Sequence, residues 1–277
     1  QHVRAAEQLA RGVLPRPQRV LVGDAGAIPY VSRLPALDII GLGGYHDLPF
    51  AAATKRSVGA AVELIERMPP QERPDVMAIY PGWWSVLPLW FSSGAIDSFP
   101  VRGNVICGGP AKVLYRSDWS PLEGSALPQS MRSGASVVDE LDLGDLVSER
   151  RHRVRMPRHP EPAIVPKVLP NPGQRTRGLF DAGRILWSEV ELEFELHGVA
   201  QRPAELLCRV APEQEGLLRV SDASGELAAA ALPRSTEWLE VSLPINAERV
   251  GSSMVLRLST RGPAQTLYHC WLVQEQP

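Results

Sequence analysis

Four polar side chains follow two short hydrophobic runs near the start of the chain and could carry chemistry together. They are Asp24, Asp38, His46 and Asp47. If the runs are parallel strands, their carboxyl ends meet at one sheet edge, where carboxylates and an imidazole could bind a metal ion or form an acid/base pair. Aspartate also caps turns and helices, and this structural interpretation is favoured. No catalytic residue, resident metal or cofactor is therefore expected.

Other familiar catalytic and ligand-binding patterns do not occur. The loop Gly23-Asp24-Ala25-Gly26 follows a predicted strand, but it lacks the G-x-G-x-x-G spacing and the lysine of a phosphate-binding loop. The chain has no G-x-S-x-G nucleophile elbow and no Cys-x-x-Cys pair. The sequence thus argues against a nucleotide site, a hydrolase of that type and a structural zinc site.

Aromatic residues form a second group of candidates. Trp83, Trp84, Trp90 and Phe91 lie close together in the sequence. Such rings could stack on a sugar, rest at a membrane interface or simply fill the core. Exposure of Trp83 and Trp84 would favour binding. The same choice between sugar contact and core packing applies to three tryptophans of the C-terminal half, Trp187, Trp238 and Trp271.

The N-terminal region, residues 1–125, has the pattern of an α/β domain. Helical spacing of apolar residues predicts helices over 2–12 and 51–68. Short β-branched runs between them predict strands at 20–22, 36–40, 76–80, 105–107 and 113–115. Alternation of helices and strands predicts a mostly parallel sheet.

The C-terminal region, residues 178–277, contains regularly spaced short strands separated by turn signals. The strands are predicted at 190–196, 205–210, 217–220, 238–243, 254–259 and 268–273. This spacing predicts an antiparallel β-sandwich, jelly-roll-like in arrangement. Residues 126–177 are rich in proline and charge and are expected to be a connection. Its basic run, 149–155, is either a solvated surface or a site for anionic lipid or phosphate.

Composition limits the function classes. A formal net charge of −2 gives no basic field for nucleic acid. The uncharged stretch 76–96 is long enough to cross a bilayer, but its prolines and glycines favour a strand, a turn and a short helix. Three cysteines form no disulfide framework, although Cys208 and Cys270 could pair in an oxidising compartment.

Four motifs, in a fixed order, resemble a known family. They are D-x-G-A-I-x-Y-x-S from Asp24 to Ser32 with D-I-I-G-L from Asp38 to Leu42, R-P-D followed by P-x-W-W from Arg73 to Trp84, N-x-x-x-G-G followed by Y-R-x-D-W from Asn104 to Trp119, and D-x-G-D-L-x-S-E-x-x-H from Asp142 to His152. The terminal run Tyr268 to Gln274 is also similar, with Cys270 and Leu272 as departures. Together these motifs resemble the extracytoplasmic C-terminal region of polytopic membrane glycosyltransferases that use polyprenyl-phosphate sugars.

The resemblance implies a role and a location. The parent enzyme would keep its catalytic acidic residue among transmembrane helices that are not part of this sequence, so these residues would not be catalytic. They would bind or position an acceptor glycan or a lipid-linked sugar on the periplasmic or cell-surface side of a bacterial membrane. The start at Gln1 suits a piece of a longer protein or a processed form. Two alternatives stay open: a free-standing secreted carbohydrate-binding protein, and an enzyme with an acidic site around Asp24 and Asp38.

Overall fold

The chain forms two compact units, residues 1–123 and 124–277. The computed structural model describes residues 2–11, 17–24, 26–84, 86–101, 103, 108–124, 126–156, 164–171 and 174–275. The strand predicted at 105–107 lies outside the described residues.

The first unit contains five α-helices and five strands among its described residues, apart from two short 3-10 turns. In chain order they are α1 (His2–Arg11), β1 (Val20–Val22), α2 (Ala27–Ser32), β2 (Ala36–Asp38), α3 (Phe50–Arg56), α4 (Val58–Glu66), β3 (Val76–Ile79), α5 (Val86–Trp90), β4 (Ser92–Pro100) and β5 (Ala111–Ser117).

These strands form one sheet in the order β2-β1-β3-β5-β4. Strand β1 pairs in parallel with β2 and β3, as predicted, whereas β5 is antiparallel to both β3 and β4. The expectation of a mostly parallel sheet is therefore correct for three strands only. The remaining two are joined by the short connection 101–110, and a parallel pair would need a longer crossover. Every residue of β1 and β3 is buried, as expected where both sheet faces are covered.

The helix predicted over 51–68 is divided into α3 and α4 at Ser57. The backbone of Ser57 is extended, and its hydroxyl accepts a hydrogen bond from the N–H of Ala60 at 3.0 Å. Serine is a preferred N-cap, so the side chain begins a new helix here instead of continuing the first one. The stretch 76–96 contains β3, α5 and the start of β4, and no described helix is long and apolar enough to cross a membrane.

The second unit is a β-sandwich, as predicted. Its elements are β6 (Ala135–Asp142), α6 (Leu146–Arg151), β7 (Ile164–Asn171), β8 (Gln174–Leu186), β9 (Leu192–Leu196), β10 (Ala204–Ala211), β11 (Gly216–Asp222), β12 (Gly225–Leu232), β13 (Leu239–Ile245), β14 (Met254–Arg261) and β15 (Gln265–Glu275). One sheet has the order β13-β10-β15-β8-β7 with β6 also paired to β15, and the other has the order β12-β11-β14-β9. Both contribute to one core, for example through Leu206 and Cys208 of the first sheet and Val220 and Leu256 of the second.

Residues 126–177 are not a separate connection. They supply β6, α6, β7 and the start of β8 to the second unit. The charges that suggested a solvated segment are in part internal: Glu149 is buried and bonds to the guanidinium of Arg184, with Arg184 Nη2 2.6 Å from Glu149 Oε2. His152 is also buried, and its Nε2 lies 3.2 Å from Asp139 Oδ1. The prediction failed because these partners are distant in sequence.

The D-x-G-D-L-x-S-E-x-x-H motif is a structural corner. Oδ1 of Asp142 accepts hydrogen bonds from the N–H groups of Gly144 and Asp145. The carboxylate of Asp145 caps α6 by accepting from Val147 N at 2.8 Å, and Ser148 Oγ accepts from Asp142 N at 3.0 Å. The motif thus fixes the turn between β6 and α6 through its own polar groups.

Asp139 makes the stability of the second unit depend on pH. Its buried carboxylate faces His152 and also accepts a hydrogen bond from His197 N at 2.8 Å. Burial raises the pKa of Asp139, but the hydrogen bonds from the two histidines outweigh that effect and lower the pKa to about 2. Because the folded pKa is below the unfolded value, the carboxylate stabilises the fold above about pH 4 and loses this contribution as pH falls through about 2.

We expect Asp139→Asn to lower the free energy of unfolding at pH 7 by about 2 kcal/mol. The difference from the wild-type protein should shrink between pH 4 and pH 2, as measured by urea denaturation followed by circular dichroism. The control is Glu226→Gln, which removes a charge at an exposed position. A difference between wild type and Asp139→Asn that stays constant down to pH 2 would contradict this account.

Candidate functional site

The carboxyl edge of the parallel strands is where the first unit brings polar and aromatic side chains together. Strand β1 lies between β2 and β3. The chain therefore runs from β1 to β2 on one side and then to β3 on the other side, which reverses the order of strands at β1. In open α/β sheets this reversal creates a crevice beside the carboxyl ends, where ligands bind. Strand β5 runs antiparallel with Val113 opposite Ile79, so the first residues of β5 reach the same edge.

Asp24 and Lys112 form an ion pair at this edge. Asp24 follows β1, and its Oδ1 accepts from Nζ of Lys112, the second residue of β5. The lysine side chain is fully buried, whereas the Asp24 side chain is about one-third exposed. Because burying a charge without a partner is costly, Lys112 holds the Asp24 carboxylate at a fixed place while leaving it open to solvent.

Two aromatic rings continue the site from the ion pair. Nζ of Lys112 lies 4.5 Å from the centroid of the Tyr80 ring, a cation–π distance. The chain turns after β3, with Trp83 N donating to Tyr80 O at 3.0 Å, and the Trp83 ring centroid lies 6.0 Å from that of Tyr80. Trp83 is 52% exposed. Its ring also packs so closely on Gly108 that a Cβ there would come within 2.5 Å.

Trp84, the next residue, has the opposite environment. It is only 5% exposed and packs against Gly23, where a Cβ would lie 2.6 Å from the indole Nε1. Among the described residues, that buried Nε1 has no hydrogen-bond acceptor. The two tryptophans therefore have different roles. Trp83 is exposed to a ligand, whereas Trp84 packs against the turn after β1.

Asp38 and His46 have partners of their own. Asp38 is buried, and its two oxygens accept from the backbone N–H groups of Ile40 and Gly43 at 3.1 and 3.0 Å. It is a loop cap, and its bonds end β2 before the predicted residue 40. Asp24 is engaged by Lys112 and Asp38 by its loop, so the geometry gives no support to an acid/base pair between them.

His46 lies at the surface beside a different group. Its side chain is 72% exposed, with Nε2 3.9 Å from Oε2 of Glu72 and its ring edge-on to Tyr45. The Tyr45 hydroxyl donates to the same Glu72 carboxylate. Burial raises the pKa of Tyr45, and the bond to Glu72 raises it further.

The site contains one exposed indole, which Tyr80 links to a partly exposed carboxylate and its buried ammonium partner. Such an arrangement can stack a flat or ring-shaped apolar surface and hydrogen-bond to hydroxyl groups at its rim. Sequence reasoning found Asp24, Trp83 and Trp84 but missed Lys112 and Tyr80. The available signal was a lysine among apolar residues at the start of a strand, two positions after Pro110.

The tryptophans of the β-sandwich differ from one another. Trp271 is fully buried, and its Nε1 donates to Ala126 O at 2.8 Å. Trp238 is half-buried, and its ring is tilted by 38° to that of Tyr268, with centroids 5.7 Å apart. It lines a cavity of about 250 Å³ together with Gln129, Ser130 and Glu240. Trp187 is 42% exposed.

Comparison with known proteins gives one family match and several distant structural likenesses. A family described as a domain of unknown function (DUF8728) matches residues 1–139. No curated protein sequence matches the chain.

Solved structures similar to the chain include three carbohydrate-binding modules. A module of lichenase 5A from Cellvibrio mixtus, in complex with cellotriose, is 12% identical and covers 51% of this chain and 100% of its own, with a TM-score of 0.35. The C-terminal module of a laminarinase from Zobellia galactanivorans is 12% identical. It covers 49% of this chain and 98% of its own, with a TM-score of 0.31. A xylan-binding module from Paenibacillus barcinonensis is 15% identical. It covers 45% of this chain and 86% of its own, with a TM-score of 0.30. Likenesses this distant do not assign a function.

The close packing of Gly23 on Trp84 can be tested by stability. We expect Gly23→Ala to lower the free energy of unfolding by about 1–3 kcal/mol, because a new Cβ would overlap a buried indole that has no room to move. Thermal and urea denaturation measure this loss. Gly82→Ala is the matched control, since a Cβ there meets nothing within 4 Å. Equal stabilities of the two variants would show that Trp84 is not held as described.

Proposed function

The chain belongs to the DUF8728 family, and we propose that its first unit binds a glycan on the exposed face of Trp83. The observation that carries this proposal is the exposed Trp83 ring, which lies against Tyr80, the residue that also contacts Lys112 of the Asp24–Lys112 ion pair. An exposed indole next to a fixed carboxylate matches the two needs of sugar recognition, an apolar surface and oriented hydrogen-bond partners.

The chemistry of a pyranose ring explains this pairing. One face of the ring presents C–H groups, which pack on the indole, while hydroxyls project from its rim. The Asp24 carboxylate accepts hydrogen bonds only, so it would select ligand hydroxyls as donors. Its pairing with buried Lys112 restrains it before the ligand arrives.

The Trp83 ring is also restrained before binding. It packs on Gly108 and on Tyr80, which in turn lies against Lys112. A ring that is already ordered loses little conformational entropy when a ligand stacks on it, which favours affinity.

The expected result for Trp83→Ala is a loss of glycan affinity of about 30-fold or more, the usual effect of removing a central aromatic residue. The purified chain would first be screened on an array of plant and bacterial polysaccharides. Isothermal titration with the best oligosaccharide would then give the affinities of each variant.

The matched control is Trp187→Ala, because Trp187 is similarly exposed at 42% but belongs to the second unit. Its affinity should equal that of the wild-type protein. Unchanged affinity in Trp83→Ala would overturn the proposed site.

A second candidate site is the cavity beside Trp238. Glu240, Gln129 and Ser130 surround the half-buried ring there, and the volume of about 250 Å³ suits a single sugar. Loss of glycan binding in Trp238→Ala, with Trp83→Ala unaffected, would move the function to this cavity.

We further propose that the chain is the extracytoplasmic, non-catalytic part of a membrane glycosyltransferase and that it positions the acceptor glycan. The support is the ordered set of motifs from Asp24 to His152, and a glycan platform fits this role. The transmembrane region of the same enzyme would then be its partner, on the periplasmic or cell-surface side. A free-standing secreted carbohydrate-binding protein is the alternative.

The coding sequence upstream of Gln1 distinguishes these two proteins. We expect it to encode a long series of hydrophobic spans in the same reading frame. A signal peptide directly before Gln1 would refute the membrane parent, while the result for Trp83 would stand independently.

A further inference from the structure

The six-stranded sheet of the second unit carries a polar group on the face away from the sandwich core. Leu206 and Cys208 of β10 belong to the core shared by the two sheets, whereas Leu207 between them packs with Trp271 in a separate cluster. Alternate residues of a strand point to opposite faces, so Leu207 and Trp271 mark the outer face. The His269 ring stacks on Trp271, with centroids 4.7 Å apart and planes 9° from parallel.

A β-bulge re-aims this part of β15. The pairing of β10 with β15 shifts between Cys208 and Val210, which face Cys270 and Leu267 respectively. Strand β15 thus has one extra residue here, and both Leu267 and Cys270 remain in the shared core. Bulges of this kind redirect side chains and are frequent next to functional sites.

Three potential metal ligands meet on this sheet. Asp142, Asp181 and His269 each offer one atom, and these atoms lie within 4.8 Å of one another. Nδ1 of His269 is 3.3 Å from Oδ2 of Asp181. This contact is a hydrogen bond between the two side chains. Two ligands at about 2.0–2.2 Å from one ion are themselves about 3–3.5 Å apart, so the same two atoms could share an ion once Nδ1 carries no proton.

The second oxygen of Asp181 gives independent support. Asp181 is 1% exposed, and among the described residues its Oδ1 has no hydrogen-bond donor. Leaving a buried carboxylate oxygen without a donor is energetically costly. A cation bound by both oxygens of Asp181 would remove this cost.

The surrounding groups orient the ligands as outer-shell residues do in metal sites. Arg209 Nη1 donates to Asp181 Oδ2 at 2.8 Å, and the guanidinium is itself held by Glu240 and lies over the Trp238 and Trp271 rings. The corner described above fixes Asp142 through the N–H groups of Gly144 and Asp145.

We propose that Asp142, Asp181 and His269 bind a divalent ion of the zinc class. One imidazole nitrogen and two carboxylate oxygens suit Zn²⁺ or a similar transition ion, whereas Ca²⁺ and Mg²⁺ take oxygen ligands. Asp142 is only half-buried, which leaves a side open for a solvent ligand. The ion would tie β6, β8 and β15 together and stabilise the second unit.

The test is isothermal titration of ZnCl2 into the full chain after treatment with a chelator. We expect one tight site per chain and a rise in the unfolding temperature that grows with zinc concentration. His269→Gln and Asp142→Asn should each weaken the binding by at least about tenfold. Co²⁺ in place of Zn²⁺ should give visible absorption that His269→Gln abolishes.

Controls separate this site from surface histidines. His46→Gln and His197→Gln remove exposed imidazoles and should leave zinc affinity unchanged. Circular dichroism in the near ultraviolet checks that each variant is folded. Asp142→Asn keeps the oxygen that accepts hydrogen bonds from the N–H groups of Gly144 and Asp145, so this variant should fold. It therefore tests the zinc site even if His269→Gln does not fold.

Three results would overturn the site itself. They are the absence of a stoichiometric site in the wild-type chain, full affinity in folded Asp142→Asn, and loss of the site in His46→Gln or His197→Gln. A titration in which CaCl2 competes with zinc at equal concentration would likewise contradict the assignment to the zinc class.

Discussion

The need to pair buried charges is the constraint on which both units depend. Lys112, Arg184 and Arg209 are cations held within or against apolar sheets. Each is met by a carboxylate from another segment: Asp24, Glu149 and Asp181 in turn. Removing one partner of such a pair costs about 3–5 kcal/mol, because the other charge stays buried. The segments that carry these carboxylates are therefore fixed as firmly as the strands they touch.

This constraint places the loops that matter for function. The turn after β1 is drawn to the sheet edge by Lys112, and Trp84 fills the space above Gly23. Trp83, in the turn after β3, stays exposed. On the outer face of the sandwich, Arg209 satisfies one oxygen of Asp181 and leaves the other without a donor among the described residues. The same principle thus leaves an indole exposed in one unit and a carboxylate oxygen buried without a described donor in the other.

Sequence patterns predicted the elements whose signals are local. Apolar spacing located α1, the parallel strands β1 to β3 and most strands of the sandwich. The spacing of apolar residues along a segment shows directly which of its faces are buried. The segment 126–177 was misjudged because its charges suggested solvent. Glu149 meets Arg184 across 35 residues, and β6 pairs with β15 near the end of the chain. Neither contact can be predicted from the residues on either side of it in the sequence.

The candidate sites show the same limit. Asp24, Trp83 and Trp84 were found from residue type and position after strands, but Lys112 is 88 residues from Asp24. The bulge that re-aims His269 depends on the pairing of β10 with β15, and no pattern within β15 itself predicts it.

Motif residues of this chain fall into two physical groups. Asp38 and Asp145 bond to backbone N–H groups of their own loops, so they specify local turns. Asp24 and His269 instead meet side chains 88 residues away in each case, Lys112 and Asp181. A carboxylate that caps its own loop has its hydrogen bonds wherever that turn forms. Its presence in a motif therefore indicates the local fold. A side chain whose partner is distant needs the whole unit to assemble it. The motifs that resemble a glycosyltransferase region contain both kinds, and so does the proposed zinc site, with Asp142 at a local corner and His269 beside a distant partner.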